Sequence, residues 1–373
     1  MSPTARPHSG PSSVLLAGGG SAGHVSPLLA LADCLRRRDP NVGITALGTQ
    51  AGLESRLVPA RGYELRTVPK VAFPRRVSRD AAMLPKRLAS AVAAADRAIV
   101  DCGAQVVVGF GGYVATPAYL AARRRGIPIV VHEQNARPGL ANKLGARLTP
   151  YVGTTFPSTQ LPHGRVVGMP LRREITTLDR VAMREQACAH FGLDPARTTL
   201  LVTGGSLGAQ RLNVAFSQAA SRLTDAGLQV LHLTGRGKDV VVAQDAKGYV
   251  TREYADQMEL AYAACDLVVA RSGANTVCEL TAVGLPAIYV PLPIGNGEQR
   301  VNAADVISAG GGILVEDSEV TPEWAASTVL GLATDTPRLE SMAAAAASIG
   351  EREADERLAD LVTQAYAGAQ GVR

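Results

Sequence analysis

The stretch VLLAGGGSAGHVSPLLALADCL, from Val14 to Leu35, reads as three pieces in succession. Val14 to Ala17 is a short apolar strand and Gly18 to His24 a glycine-rich turn. Val25, Leu28, Ala32 and Leu35 then recur at the three- and four-residue spacing that buries one face of a helix. The same grammar returns in the second half. Thr199 to Val202 lead into Gly204, Gly205, Ser206, Leu207 and Gly208, and Leu212, Ala215 or Phe216, Ala219 and Leu223 supply the next helical stripe. Two strand, glycine-turn, helix openings predict an α/β fold of two Rossmann-like domains facing across a cleft.

Working outward, Gln105 to Val108, Ile129 to His132, Val230 to Leu233, Leu267 to Ala270 and Ala287 to Val290 are short, apolar and β-branched. Parallel strands covered by helices on both faces have that composition. A chain of 373 residues accommodates two such domains. The expected division is a disordered tail at 1–12, an N-terminal domain at 13–170, a C-terminal domain at 171–350 and a closing helix at 351–373.

Composition narrows the possibilities. The five cysteines are scattered and never form C-x-x-C, which disfavours a disulfide framework or a zinc site and fits a reducing compartment. No apolar stretch precedes Val14, so a signal peptide is not expected. Cys102 to Ala122 and Leu280 to Gly297 are uncharged but rich in Gly and Pro, and read as strand, turn and neighbouring element rather than as a membrane span. The net charge of +5 conceals a division: residues 1–170 hold 21 Lys/Arg against 8 Asp/Glu, a balance of +13, and the remainder 17 against 25, a balance of −8. A basic first half suits an anionic partner, either nucleic acid or an anionic membrane surface. Within it, Val71 to Leu88 interleaves Val71, Phe73, Val77, Met83, Leu84 and Leu88 with Arg75, Arg76, Arg79, Lys86 and Arg87, the mixture of a membrane-facing patch or of a solvated loop and helix.

The first turn is not a clean G-x-G-x-x-G, no acid stands convincingly at the end of a second strand, and no G-K-[ST] follows, so a dinucleotide site and a P-loop are both disfavoured. Two glycine turns at helix N-termini can instead hold phosphate through backbone N–H groups. The chain contains no D-x-D, so a diphosphate bridged to carboxylates by a metal is not expected, and no cofactor is called for.

Seven blocks, AGGGSAGHVSP, GFGGYVATP, HEQNARPGLANK, GMPLR, GGSLGAQRLN, RSGANTVCELTAVGLPAIYVPLP and GNGEQRVNA, span residues 17 to 303. In order and spacing they resemble the MurG family of glycosyltransferases. The resemblance implies a GT-B architecture and inverting transfer of N-acetylglucosamine from UDP-GlcNAc to the muramic C4 hydroxyl of lipid I. It also implies peripheral attachment to the cytoplasmic side of the cell membrane, with an anionic membrane surface rather than nucleic acid as partner. Carried over by residue, it implies donor contacts at Ser21, Ala22, Gly23, Asn135, Arg172 and Ser206, and a base contact at Ala255. A uridine-cradling run follows at Ala274, Asn275, Thr276, Val277, Cys278 and Glu279, with Glu279 on the ribose, and Glu298 and Gln299 fall on the sugar hydroxyls. His24, with an ordinary pKa of about 6.5, is the implied general base. Tyr113, His132 and Glu133 either shape the acceptor pocket or pack. The chain departs from the family pattern at Glu298, where glutamine is usual, and at Ala22 and Met169, where glycine and asparagine are usual. A transferase acting on a small aglycone, a UDP-sugar epimerase and a non-catalytic nucleotide-sugar or nucleic-acid binding module are the other readings.

Overall fold

The computed structural model describes residues 10–71, 83–205, 208–294 and 296–371. The chain forms two compact units, one comprising residues 1–172 and 353–373, the other 173–352.

The first unit is built on a parallel sheet of seven strands in the order β3-β2-β1-β4-β5-β6-β7. These are β1 Ser13–Ala17, β2 Gly43–Gly48, β3 Glu64–Thr67, β4 Val106–Gly109, β5 Ile129–Glu133, β6 Val152–Thr154 and β7 Gly164–Val166. From β1 the chain winds outward through β2 and β3, then returns to lay β4 on the other side of β1. The crevice beyond the C-terminal ends of β1 and β4 is therefore the topological switch point, where α/β sheets place their sites. The helix Ala22–Arg38 turns Val25, Leu28, Leu31 and Leu35 onto the sheet. Its last turn carries Arg36, Arg37 and Arg38, which complement the negative helix end.

The closing helix Ala354–Gln370 belongs to this unit, a placement that its sequence leaves open. Leu358, Leu361 and Val362 enter the core formed by β1 and the helix Ala22–Arg38. Three such side chains contribute on the order of 6 kcal/mol of burial as an upper bound. Ion pairs of Arg37 with Asp355 at 2.6 Å and of Arg38 with Asp360 at 2.7 Å fix the register of the two helices.

The second unit has a parallel six-stranded sheet in the order β10-β9-β8-β11-β12-β13. Its strands are β8 Thr199–Thr203, β9 Gln229–Leu233, β10 Tyr249–Arg252, β11 Leu267–Ala270, β12 Ala287–Tyr289 and β13 Gly312–Leu314. The switch point recurs between β8 and β11. Arg184 clamps Asp266 through two contacts of 2.9 and 3.0 Å, and Asp266 also accepts the Thr199 amide at 2.8 Å, joining the helix Arg180–Phe191 to the starts of both strands. Among the described residues no helix is long and apolar enough to cross a membrane.

Candidate functional site

In the first unit the turn after β1 meets the turn after β4. Gly20 has φ +90°, which favours glycine, and a Cβ on Gly18 would press on Phe110 and Leu28 at 3.1 and 3.2 Å, a tight fit. Ser21 precedes the helix Ala22–Arg38 in extended conformation, yet its hydroxyl does not cap it; the hydroxyl lies 3.1 Å from His24 Nδ1. Ala22, Gly23 and His24 are half-buried in the first helical turn. A Cβ on Gly111 would stand 3.2 Å from His24 Nε2, and Gly111 has φ +92°, so only glycine leaves that face of the imidazole clear. Burial lowers the His24 pKa below its ordinary 6.5, against the opposing pull of the Gly19 carbonyl and the Glu54 carboxylate. The ring is thus neutral at pH 7, with Nδ1 engaged by Ser21. Tyr113, which follows Gly111 and Gly112, is exposed and carries the Lys70 ammonium 5.1 Å from its ring centroid.

His132 and Glu133 are buried. Both lie in β5, an interior strand, with 0% and 2% exposure, and both spend their polar atoms inside the protein. His132 Nε2 donates to the Gly168 carbonyl at 2.9 Å, and Nδ1 accepts from the Gln134 amide at 3.1 Å. Burial holds its pKa at about 4. Glu133 accepts from the Asn135 and Gly139 amides at 2.9 and 3.0 Å and from Asn142 Nδ2 at 2.9 Å. Of the two expected readings, this geometry fits the packing one: these side chains hold the loop that presents half-buried Asn135. Asn142 is itself held by the buried Tyr119 hydroxyl at 2.8 Å.

In the second unit, Ser206 lies outside the described residues. Arg172 is the last residue of the first unit before the chain crosses into the second, and it is half-buried. Ala255, in the segment after β10, is buried. The helix Ala274–Ala282 follows β11, and its N-cap Gly273 offers no side chain, so the first amides can meet an anionic or polar ligand. Helical periodicity sorts the expected uridine cradle. Ala274 and Val277 turn into the core, so their contribution can only be through backbone, whereas Asn275, Thr276, Cys278 and Glu279 are half-buried. Glu279 Oε2 accepts from the buried Tyr262 hydroxyl at 2.7 Å. Gln299 Oε1 accepts from the Leu292 amide at 2.9 Å, so towards a sugar Gln299 offers amide donors while Glu298 offers only acceptors.

Sequence reading missed three supporting groups. Glu54 lies under the first glycine turn, Tyr262 behind Glu279, and Arg271 donates to the Val290 and Pro291 carbonyls at 3.2 and 3.1 Å while pairing with Asp317 at 2.6 Å. Only Arg271 carried a signal, as the first residue of the RSGANTVCEL block. Next to Arg271 and Gly208 opens a cavity of about 690 Å³, with Lys238, Leu292 and Ile294 on its walls; it does not include Ala274 to Glu279.

The sequence profile of the glycosyltransferase family 28 N-terminal domain matches residues 14–153, and that of the family 28 C-terminal domain matches residues 199–358. The chain belongs to glycosyltransferase family 28. The family's two domains coincide with the two Rossmann-like sheets, and the fold class is GT-B. A Streptomyces coelicolor protein named UDP-N-acetylglucosamine--N-acetylmuramyl-(pentapeptide) pyrophosphoryl-undecaprenol N-acetylglucosamine transferase is 55% identical over 357 residues, which cover 95% of this chain and 98% of that protein. A Clavibacter michiganensis protein of the same name is 56% identical over 354 residues, covering 95% and 96%. Among solved structures, that of Acinetobacter baumannii MurG superimposes with a TM-score of 0.76 at 28% identity, covering 94% of this chain and 99% of that one. The calicheamicin glycosyltransferase CalG4 shares the fold, with a TM-score of 0.66 at 20% identity.

Proposed function

We propose that the protein transfers N-acetylglucosamine from UDP-GlcNAc to the C4 hydroxyl of the N-acetylmuramoyl group of lipid I, with inversion, giving lipid II and UDP. The observation that carries this is the likeness, at about 55% identity over nearly the whole chain, to relatives named for that transfer. The chemistry available fits it. A neutral imidazole with Nδ1 held by Ser21 can take the C4 proton on Nε2 as the hydroxyl attacks the anomeric carbon. In the second unit, the helix Ala274–Ala282 and Glu279 suit a uridine, and the glycine turn after β8 suits the diphosphate, whose leaving charge backbone amides can stabilise. A single displacement by an external hydroxyl inverts the anomeric centre.

The same reading places the enzyme peripherally on the anionic inner leaflet of the cell membrane, where a polyprenyl-linked acceptor resides. The +13 balance of residues 1–170 supports it. Of the expected docking segment, residues 72–82 lie outside the described residues; Val71 is buried and so unavailable, whereas Met83 is exposed.

The test is turnover of UDP-GlcNAc with a lipid I analogue, with UDP release and product followed together. Wild-type protein should form the disaccharide product, and His24→Ala should lower kcat by about 10²-fold with little change in donor binding. Transfer to a simple aglycone but not to lipid I would move the reading to another family 28 acceptor, and near-normal turnover by His24→Ala would remove that residue from the base role.

A further inference from the structure

Glu54 is a fully buried carboxylate in the first turn of the helix Glu54–Ala60, just beyond the end of β2. In a dinucleotide-binding domain an acid after β2 faces the cofactor ribose. Here it turns under the glycine turn instead. Oε2 accepts from the Gly20 amide at 2.8 Å, and Oε1 accepts from the Thr49 amide and the Thr49 hydroxyl, both at 2.8 Å. Missing side chains make the room. A Cβ on Gly19 would stand 2.4 Å from Oε1, one on Gly48 2.4 Å from Cγ, and one on Gly52 2.1 Å from Oε2. Burial raises the pKa of this carboxyl, but the donated hydrogen bonds outweigh it and hold the group below its ordinary 4.5, so it is an anion at neutral pH.

We propose that Glu54 is the positioning residue of the first glycine turn: its carboxylate fills, from within the protein, the place of a bound anion, fixes Gly18 to Ser21, and so sets where His24 points. The Gly20 amide, which a Rossmann turn would offer to phosphate, is consumed by Glu54. The first unit therefore presents a proton acceptor at its turn rather than a nucleotide site, and the donor diphosphate is left to the turn after β8. Around His24 stand the Ser21 hydroxyl, the Gly19 carbonyl, the Gly111 and Gly112 backbone and Glu54, and of these Glu54 alone is charged.

The inference rests on His24 acting as the base, so the test separates the two. Wild type, His24→Ala, Glu54→Gln and Thr49→Val are compared by steady-state kinetics, by thermal melting, and by proton NMR titration of the His24 ring, whose signal is assigned by its loss in His24→Ala. In Glu54→Gln, kcat should fall by about 10-fold or more while KM for UDP-GlcNAc stays within about threefold. The His24 titration, and with it the acid limb of kcat, should move to lower pH, because the charge that favours the imidazolium is gone. Thr49→Val, which keeps the carboxylate and removes one donor, should lose about 2- to 5-fold in kcat, less than one conventional hydrogen bond to a charge. An unchanged kcat and His24 titration in Glu54→Gln would overturn the proposal, as would a loss that merely tracks the folded fraction. If Glu54→Gln does not fold, an unchanged kcat in Thr49→Val overturns it. Near-normal kcat in His24→Ala refutes the base assignment instead, while the NMR titration still reports on Glu54.

Discussion

Replacing Tyr262 by Phe tests the nucleoside site at one atom. The ring is 2% exposed, and its hydroxyl donates to Glu279 Oε2 at 2.7 Å, a length at which an O–H to carboxylate bond is charge-assisted. Phenylalanine keeps the ring and removes only the oxygen. A hydrogen bond to a charged group is worth about 1.5–3 kcal/mol when buried, but Glu279 is half-buried, so water restores part of it and about 1 kcal/mol is lost. That is roughly a fivefold change in an equilibrium constant. On the proposed reading Glu279 holds the ribose hydroxyls, the part that uridine, UDP and UDP-GlcNAc have in common. Titration calorimetry should therefore show all three weakening by about the same factor, with kcat at saturating donor little changed. Unchanged affinity for all three, or a loss confined to the sugar nucleotide, would refute the assignment of Glu279 to the ribose and the role of Tyr262 in orienting it.

His132 and His232 are each held at a pKa of about 4 by burial, whereas an unfolded histidine titrates near 6.5. The unfolded chain thus binds protons first, and stability complete above pH 6.5 should be lost as pH falls towards 4, by about 1.4 kcal/mol per unit per histidine; urea unfolding that is flat between pH 7 and 5 would contradict this. Gly109→Ala would place a Cβ 2.1 Å from the Tyr119 hydroxyl and 2.2 Å from its ring, so it should destabilise by about 1–3 kcal/mol or more, seen as a fall in Tm of some 2–4 °C per kcal/mol. Glycosyl transfer should survive EDTA, because helix-terminal amides suit the diphosphate and the sequence has no D-x-D; loss of activity restored by Mg²⁺ would contradict that.

The glycine turns and the interior strands were legible because their causes are local. Gly20 and Gly111 need positive φ, and β1, β4, β5, β8 and β11 are buried on both faces, so their apolar runs stand out. The edge strands β3 and β7, of sequence ELRT and GRV, are short and largely exposed and carry no such mark. At the site, His24 and Glu279 sit in segments whose pattern announces them. His132 and Glu133 stayed open between contact and packing because polar residues in a motif suit a ligand, while an interior strand compels them to satisfy themselves internally. Glu54 was invisible for a different reason. Its environment is made by the absence of side chains at Gly19, Gly48 and Gly52, which converge only when the turns after β1 and β2 come together.

The closing helix changes what the ends of the chain mean. Leu358, Leu361 and Val362 complete a core whose other members, Val14, Leu28 and Leu35 among them, are translated first. At about 5–20 residues per second, the ribosome needs roughly 10 to 40 seconds to make the chain between Arg172 and the last residue. Throughout that interval the nascent first unit keeps an uncovered apolar face, while the second unit, which is continuous in sequence, can finish beforehand. A premature stop near the end of the message would therefore spare the half that was made last and cripple the half that was made first.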